Sequence, residues 1–323
     1  LSALLLLLPF TVLPAAFAAP PAAPALPAGF ERVGDPVSVP DGVVTSLAED
    51  QGGLLWIGTM DGLVRYDGVQ FHRFRRGEPG AEGLGGNLVR ALLVDSRNRL
   101  WVGTEADGAS VLDPETGRFR VVHTGLQPGT ATALRALVED GEGRVWLGTT
   151  GEGLLAVGRD GAMLRLMAAD DADDGLLDDR IAALAAAPDG SLWIGTWRGL
   201  ARLGPGHARP EPVALVDAAG RPVEADRIRG LFLAPDGSLW VGAQRTGTVR
   251  LAPDGRGGLE ARHLTESVLL SAVAPGDGTL WLAHVGGIEV FDLATGQDLA
   301  HHRHRPEDPR SLANAEIRAL WRD

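Results

Sequence analysis

Apolar positions in this chain recur on two scales. Over a few residues they gather into short runs, such as Val43 to Glu49, Leu54 to Thr59, Leu63 to Asp67 and Gln70 to Phe74, separated by glycine-bearing turns. Runs of this length bounded by Asp-Gly and Gly-Gly predict strands of an antiparallel meander. The run that carries a tryptophan is apolar on both faces, as in Leu55-Trp56-Ile57 and Val145-Trp146-Leu147, so both of its faces must be covered. No segment keeps an apolar 3.6-residue period for three turns, which excludes a helical solenoid.

Over longer distances the whole set repeats. Tryptophans fall at positions 56, 101, 146, 193, 240 and 281, inside LLWIGT, RLWVGT, RVWLGT, SLWIGT, SLWVGA and TLWLAH. Ten residues before each stands a small residue (Ser46, Ala91, Ala136, Ala183, Gly230, Ser271), and twelve before each an aliphatic one (Val44, Val89, Leu134, Ile181, Ile228, Leu269). A four-stranded sheet repeated with a period in the forties and buried on both faces by its neighbours is the signature of a β-propeller. The small residues place the first strand beside the crowded axis. The indole fills the wedge between splayed sheets, and its N–H is expected to reach a backbone carbonyl. Ile317-Arg318-Ala319-Leu320 restarts the pattern and projects a seventh tryptophan to about position 329. The expected fold is therefore an all-β, seven-bladed propeller, present as six full blades plus the start of the seventh. Phe30 to Val33 is expected to pair into that last blade and close the ring, which removes an exposed sheet edge.

The beginning of the chain has a different composition. Leu1 to Ala18 is apolar and ends in Ala16-Phe17-Ala18, as a signal peptide does before its cleavage site, a retained membrane anchor being the alternative, and residues 19–29 form a proline- and alanine-rich spacer. The propeller is then expected over residues 30–323, incomplete at its C-terminal end, in a periplasmic or other extracytoplasmic compartment. Neither a methionine nor a charged segment precedes the apolar run, and the repeat stops before its seventh tryptophan, so the chain is read as a fragment at both ends. With no cysteine, disulfides, thiolate metal sites and cysteine nucleophiles are excluded from it. A formal charge of −12 argues against a general nucleic-acid surface, and all 30 basic residues are arginine.

The residues Gly53 to Thr59 (GLLWIGT) and Gly62 to Phe71 (GLVRYDGVQF), preceded in later repeats by Ile-Arg-Ala-Leu-type inner strands, resemble the two-component regulator propeller repeat. The stretch His304 to Asp323 resembles that family's segment between blades. The resemblance is strongest in repeats one to four and weaker in five and six, where Ala243 and His284 replace the threonine. It implies the ligand-sensing region of a membrane signalling protein, non-catalytic in itself and without a cofactor. It further implies a parent anchored in the inner membrane, dimeric, and carrying a histidine kinase or diguanylate cyclase output domain. Propellers similar to streptogramin lyase share the Asp-Gly-x-Leu-Trp element and would imply a secreted enzyme instead. A protein-binding scaffold is a third alternative.

Turns of a four-stranded meander alternate between faces, so the loops after the tryptophan strands share a face with the crossovers between blades. These loops differ from repeat to repeat and hold Glu105 and Asp107, Glu152, Trp197 and Arg198, Gln244 and Arg245, and His284. Loops on a rigid scaffold are where binding chemistry sits. Eleven residues before the tryptophan, Arg90, Arg135 and Arg229, with Arg318 in the incipient seventh repeat, are placed to ring the channel mouth. They suit an anionic ligand or pairing with Glu105 or Glu152. Trp197 lies outside the repeat register and suits an aromatic platform for an oligosaccharide or other small molecule, or packing alone. His284 matters only to an enzyme, as a general base. Asp170 to Gly175 fails the calcium-loop pattern at its third and twelfth positions, Ala172 and Ile181. His301, His302 and His304 lack metal-ligand spacing.

Overall fold

The computed structural model describes residues 29–31, 33–34, 38–39, 43–78, 80, 82–105, 108–122, 133–160, 162–167, 175–253 and 258–322. Among them, 24 strands form six four-stranded antiparallel sheets, each in chain order from the inside outward. The sheets span residues 44–74, 89–121, 134–167, 181–212, 228–265 and 271–302. The first blade's strands, Val44–Glu49, Leu55–Thr59, Gly62–Tyr66 and Phe71–Phe74, match the predicted runs to within a residue. The expected signal peptide and the acidic run Asp170 to Asp174 lie outside the described residues.

The core is divided into layers, one between each pair of blades. Trp56, Leu63 and Phe74 of the first blade pack on Val89, Leu100 and Phe119 of the second. The same arrangement puts Trp101 against Leu134 and Leu147, Trp146 against Ile181, Trp193 against Ile228, and Trp240 against Leu269. The tryptophan strands read as apolar on both faces because each is covered on both sides. Close approach explains the glycine two residues after the tryptophan. A Cβ on Gly148 would lie 2.6 Å from Ile181 Cγ2, and one on Gly195 2.5 Å from Ile228 Cγ2. In blades two to six the aliphatic residue twelve before the tryptophan thus seats itself on the glycine of the preceding blade.

The indole N–H does not go to a backbone carbonyl as expected. In blades one to three it donates to the turn aspartate six residues earlier: Trp56 Nε1 to Asp50 at 2.8 Å, Trp101 to Asp95 at 2.8 Å and Trp146 to Asp140 at 2.7 Å. In blades five and six it donates instead to a hydroxyl two residues earlier. Ser238 and Thr279 accept at 3.1 Å and pass the bond on to Asp236 and Asp277 at 2.6 Å. A carboxylate or hydroxyl at the turn satisfies the buried donor without bending the strand toward a carbonyl.

Phe30 is not in a strand. Its N–H donates to the Arg310 carbonyl at 2.9 Å and its ring stands edge-on to His302, with Ile288, Val290, Leu312, Ile317 and Leu320 in the same apolar cluster. A Cβ on nearby Gly34 would lie 2.9 Å from the Phe71 ring of blade one, so this short segment touches both the sixth blade and the first.

Candidate functional site

The inner strands carry a feature that composition did not show. Val89 pairs with Thr104 and Ala91 with Gly103, which leaves Arg90 as an extra residue in a β-bulge. The same register shift isolates Thr45, Arg135, Ala182 and Arg229. A bulge bends the strand and re-aims the extra side chain. Here it turns one residue in each of the first five blades toward the axis, always the one eleven before the tryptophan.

These residues meet at one end of the central channel. Arg90, Arg135 and Arg229 line a cavity of about 370 Å³ together with Arg318, Arg180 and Trp197. Deeper in, the residues next to them on all six inner strands, joined by Arg318 to Leu320, line a channel of about 280 Å³. The crossovers between blades reach the same end. Gly62 N–H donates to the Asn87 carbonyl, Gly153 to Asp179 and Arg227 to Trp197, so the expected sharing of a face by loops and crossovers is what the structure has.

The guanidiniums differ in how well they are paired. Arg90 Nε donates to Glu105 Oε2 at 2.5 Å, Arg318 Nε to Glu316 at 2.8 Å, and Arg180 grips Asp178 through two bonds of 2.8 and 2.7 Å. The Arg180 bonds hold Asp178 below the ordinary carboxylate range despite its burial. Arg135 has only a distant hold on Glu105, at 3.7 Å, and its Nε is buried with no hydrogen-bond partner among the described residues. Burial pulls Arg135 below the usual guanidinium range, Glu105 opposes the shift, and Arg90, Arg229 and Arg318 add to it. Arg229 is exposed and has no carboxylate partner among the described residues.

Trp197 stands at the rim, 36 % exposed, with the Arg180 guanidinium 4.4 Å and that of Arg227 5.5 Å from its ring centre. Arg227 holds a left-handed backbone at φ 50°, uncommon for a residue with a side chain. Arg180 and Arg227 were not singled out by the sequence, although a signal existed. Thirteen residues before the tryptophan the other repeats carry Val43, Leu88, Ala133 and Val268, and only the two repeats that embrace Trp197 carry arginine.

The remaining candidates do not join this cavity. Arg198 and Arg245 line a separate cleft of about 470 Å³ beside Asp226, which Arg245 approaches at 3.4 Å. Gln244 N–H bonds the Asp226 and Arg227 carbonyls, and Glu152 N–H bonds Thr149 Oγ1. Asp107 lies outside the described residues. His284 is buried, its Nδ1 3.0 Å from the Val285 carbonyl and its Nε2 3.6 Å from buried Glu289. His301 sits 2.6 Å from Asp298, and His304 2.6 Å from the Leu312 carbonyl.

A model of the two component regulator propeller matches residues 38–61, 83–106 and 175–198. Three of the chain's six tryptophan repeats thus match the two component regulator propeller. Each matched segment contains a bulged inner strand and the tryptophan strand that follows it. Comparison with the curated proteins gives no match.

Solved structures share the fold. The extracellular domain of a protein described as hybrid two component system BT3049 of B. thetaiotaomicron superposes with a TM-score of 0.77 at 20 % identity, covering 92 % of this chain and 39 % of that one. PorZ, a bacterial surface component of the type-IX secretion system of Porphyromonas gingivalis, gives 0.70 at 17 %, covering 92 % and 45 %. Virginiamycin B lyase of Staphylococcus aureus gives 0.56 at 13 %, covering 77 % and 80 %. The chain thus spans less than half the length of the first two.

Proposed function

We propose that this propeller is the extracytoplasmic ligand-sensing part of a transmembrane signalling protein. The observation that carries the proposal is the match of three repeats to the two component regulator propeller, whose matched segments supply Thr45, Arg90, Arg180 and Trp197 to the mouth cavity. The apolar leader over residues 1–18 and the likeness to the extracellular domain from B. thetaiotaomicron support an exported location. Ligand at the mouth would favour one arrangement of a dimeric parent and so bias a kinase or cyclase output, a coupling free energy between two sites. The test is to express the complete reading frame in its host and follow output while small anions and oligosaccharides are supplied outside the cell. A ligand-dependent output lost on substitution at the mouth is expected. Cytoplasmic retention of the propeller, read by protease protection in spheroplasts, overturns the proposal.

We also infer that Ile317 to Leu320 occupy the inner-strand position of a seventh blade. Arg318 to Leu320 complete the channel lining, and Gly286 N–H donates to the Ala315 carbonyl, the register in which Gly62 bonds Asn87 and Gly153 bonds Asp179. The lyase alternative draws support from the S. aureus neighbour, but its would-be base, His284, is buried and bonded inward.

A further inference from the structure

The channel mouth concentrates positive charge on a protein whose formal charge is −12. Five arginines line the cavity: Arg90, Arg135, Arg180, Arg229 and Arg318. Three carboxylates pair closely with them, namely Glu105, Asp178 and Glu316, and Asp179 lies in the field of Arg180, so the arginines still outnumber the acids that reach them. The excess has an address. It falls on Arg135 and Arg229, in the third and fifth blades, whereas Arg90, Arg180 and Arg318 each hold a carboxylate within 2.8 Å.

Crowding like charges around one cavity is costly, and a site that keeps them is built for an opposite charge. Three further features point the same way. Arg135 Nε is buried without a partner, a donor that solvent does not reach. The bulges that aim these side chains inward occur blade after blade. Arg180, gripped by Asp178 and capped by the Trp197 indole, is held in one orientation before any ligand arrives.

We propose that the mouth cavity binds a small solute carrying two or more oxyanion groups, carboxylate or phosphate, with Arg135 and Arg229 supplying the principal contacts. This rests on the sensing function and names the ligand class of the same site. A single anionic group satisfies one of these two poorly paired arginines and leaves the other in the same unfavourable field. Two groups on one molecule neutralise both. At about 370 Å³ the cavity is at the small end of ligand pockets, which fits a compact polyanion rather than a long chain. Planar guanidiniums bind carboxylate and phosphate oxygens through paired N–H donors. Trp197 is a positioning residue that acts through Arg180.

The experiment is calorimetric titration of the purified chain with citrate, with pyrophosphate and with neutral maltotriose, in two salt concentrations. Citrate or pyrophosphate is expected to bind, more weakly at the higher salt, and whichever binds identifies the acid group. R135Q and R229Q are each expected to weaken binding at least tenfold. R221Q, at an exposed turn outside the cavity, leaves it unchanged, and circular dichroism checks that each variant is folded. W197A weakens binding several-fold and W197F restores most of it. Absence of binding by both anions, or binding indifferent to R135Q and R229Q, overturns the proposal. Maltotriose binding alone, lost in W197A, overturns it while leaving the sensing function standing. Anion binding that follows the arginines, with no change in output of the complete protein, upholds the site and removes the sensing function instead.

Discussion

At the scale of single residues, the fold depends on what each buried indole does with its one hydrogen. Asp95 accepts from Trp101 Nε1 at 2.8 Å, from Arg99 Nε at 2.7 Å and from the Arg97 and Arg99 backbone at 3.0 and 2.9 Å, while itself buried. Removing that carboxylate leaves several buried donors unpaired at once, so D95A is expected to cost about 2–4 kcal/mol in urea unfolding. Ser238 makes a smaller contribution, because it only relays the Trp240 bond to Asp236. S238A is accordingly expected to cost about 1 kcal/mol, and equal losses for the two variants would refute the relay. The two solutions are visible in the sequence once the structure is known. Repeats one to three carry aspartate six before the tryptophan, and repeats five and six carry aspartate four before it with serine or threonine between. Side-chain partners six residues apart follow from turn geometry, which spacing alone does not supply.

At the scale of strands and blades, the period of the tryptophans was enough to place the inner strand and the tryptophan strand of each of the six described sheets, because the same burial is demanded at each repeat. The bulge was not legible. It is a mismatch between two strands, and a pattern of residue types along one strand contains no register. The sequence therefore put Arg90, Arg135 and Arg229 near the mouth without showing why they turn inward. Trp197 was legible as an exception, but its partners Arg180 and Arg227 come from two different repeats and meet only when blades four and five pack together. That packing yields a prediction at the same scale. A methyl on Gly195 would press on Ile228 Cγ2 at 2.5 Å, so G195A is expected to destabilise by about 1–3 kcal/mol through overpacking. Truncating the neighbour removes the Cγ2 in the way, so G195A combined with I228A is expected to cost less than the sum of the two single changes. Additive costs in denaturant titrations would show that the blades do not meet at this contact.

At the scale of the whole molecule, the titrating groups make stability one-sided in pH. Burial opposes ionisation of the turn carboxylates Asp140 and Asp236, but hydrogen bonds from Trp146 and Arg144, and from Ser238 and Arg250, outweigh it and hold both below the ordinary carboxylate range. Hydrogen bonds from Ser191 and Thr279 do the same for Asp189 and Asp277. A carboxylate more acidic in the folded than in the unfolded chain contributes stability that is complete above the unfolded value, about 4, and is lost as pH falls through the folded one. Burial, with the neighbouring His301, likewise lowers His302, which sits where Phe30 and Trp281 cover the edge of blade six. Its protonation therefore also favours the unfolded chain, beginning below about pH 6.5. On the alkaline side almost nothing titrates, since the chain has no cysteine, a single tyrosine, and only arginine among its 30 basic residues. Below pH 4 the protonation of carboxylates drives the net charge from −12 toward the sum of 30 arginines and 8 histidines, and self-repulsion adds to the loss. The expected profile of melting temperature is a plateau from about pH 7 to about pH 10, a shallow decline near pH 6 and a steep fall below about pH 4. Tryptophan fluorescence should register the shallow step in the wild type and not in H302Q, because that step belongs to the edge that Trp281 and His302 share. A profile symmetrical about neutrality, or a shallow step unchanged in H302Q, would contradict this account of what holds the blades together.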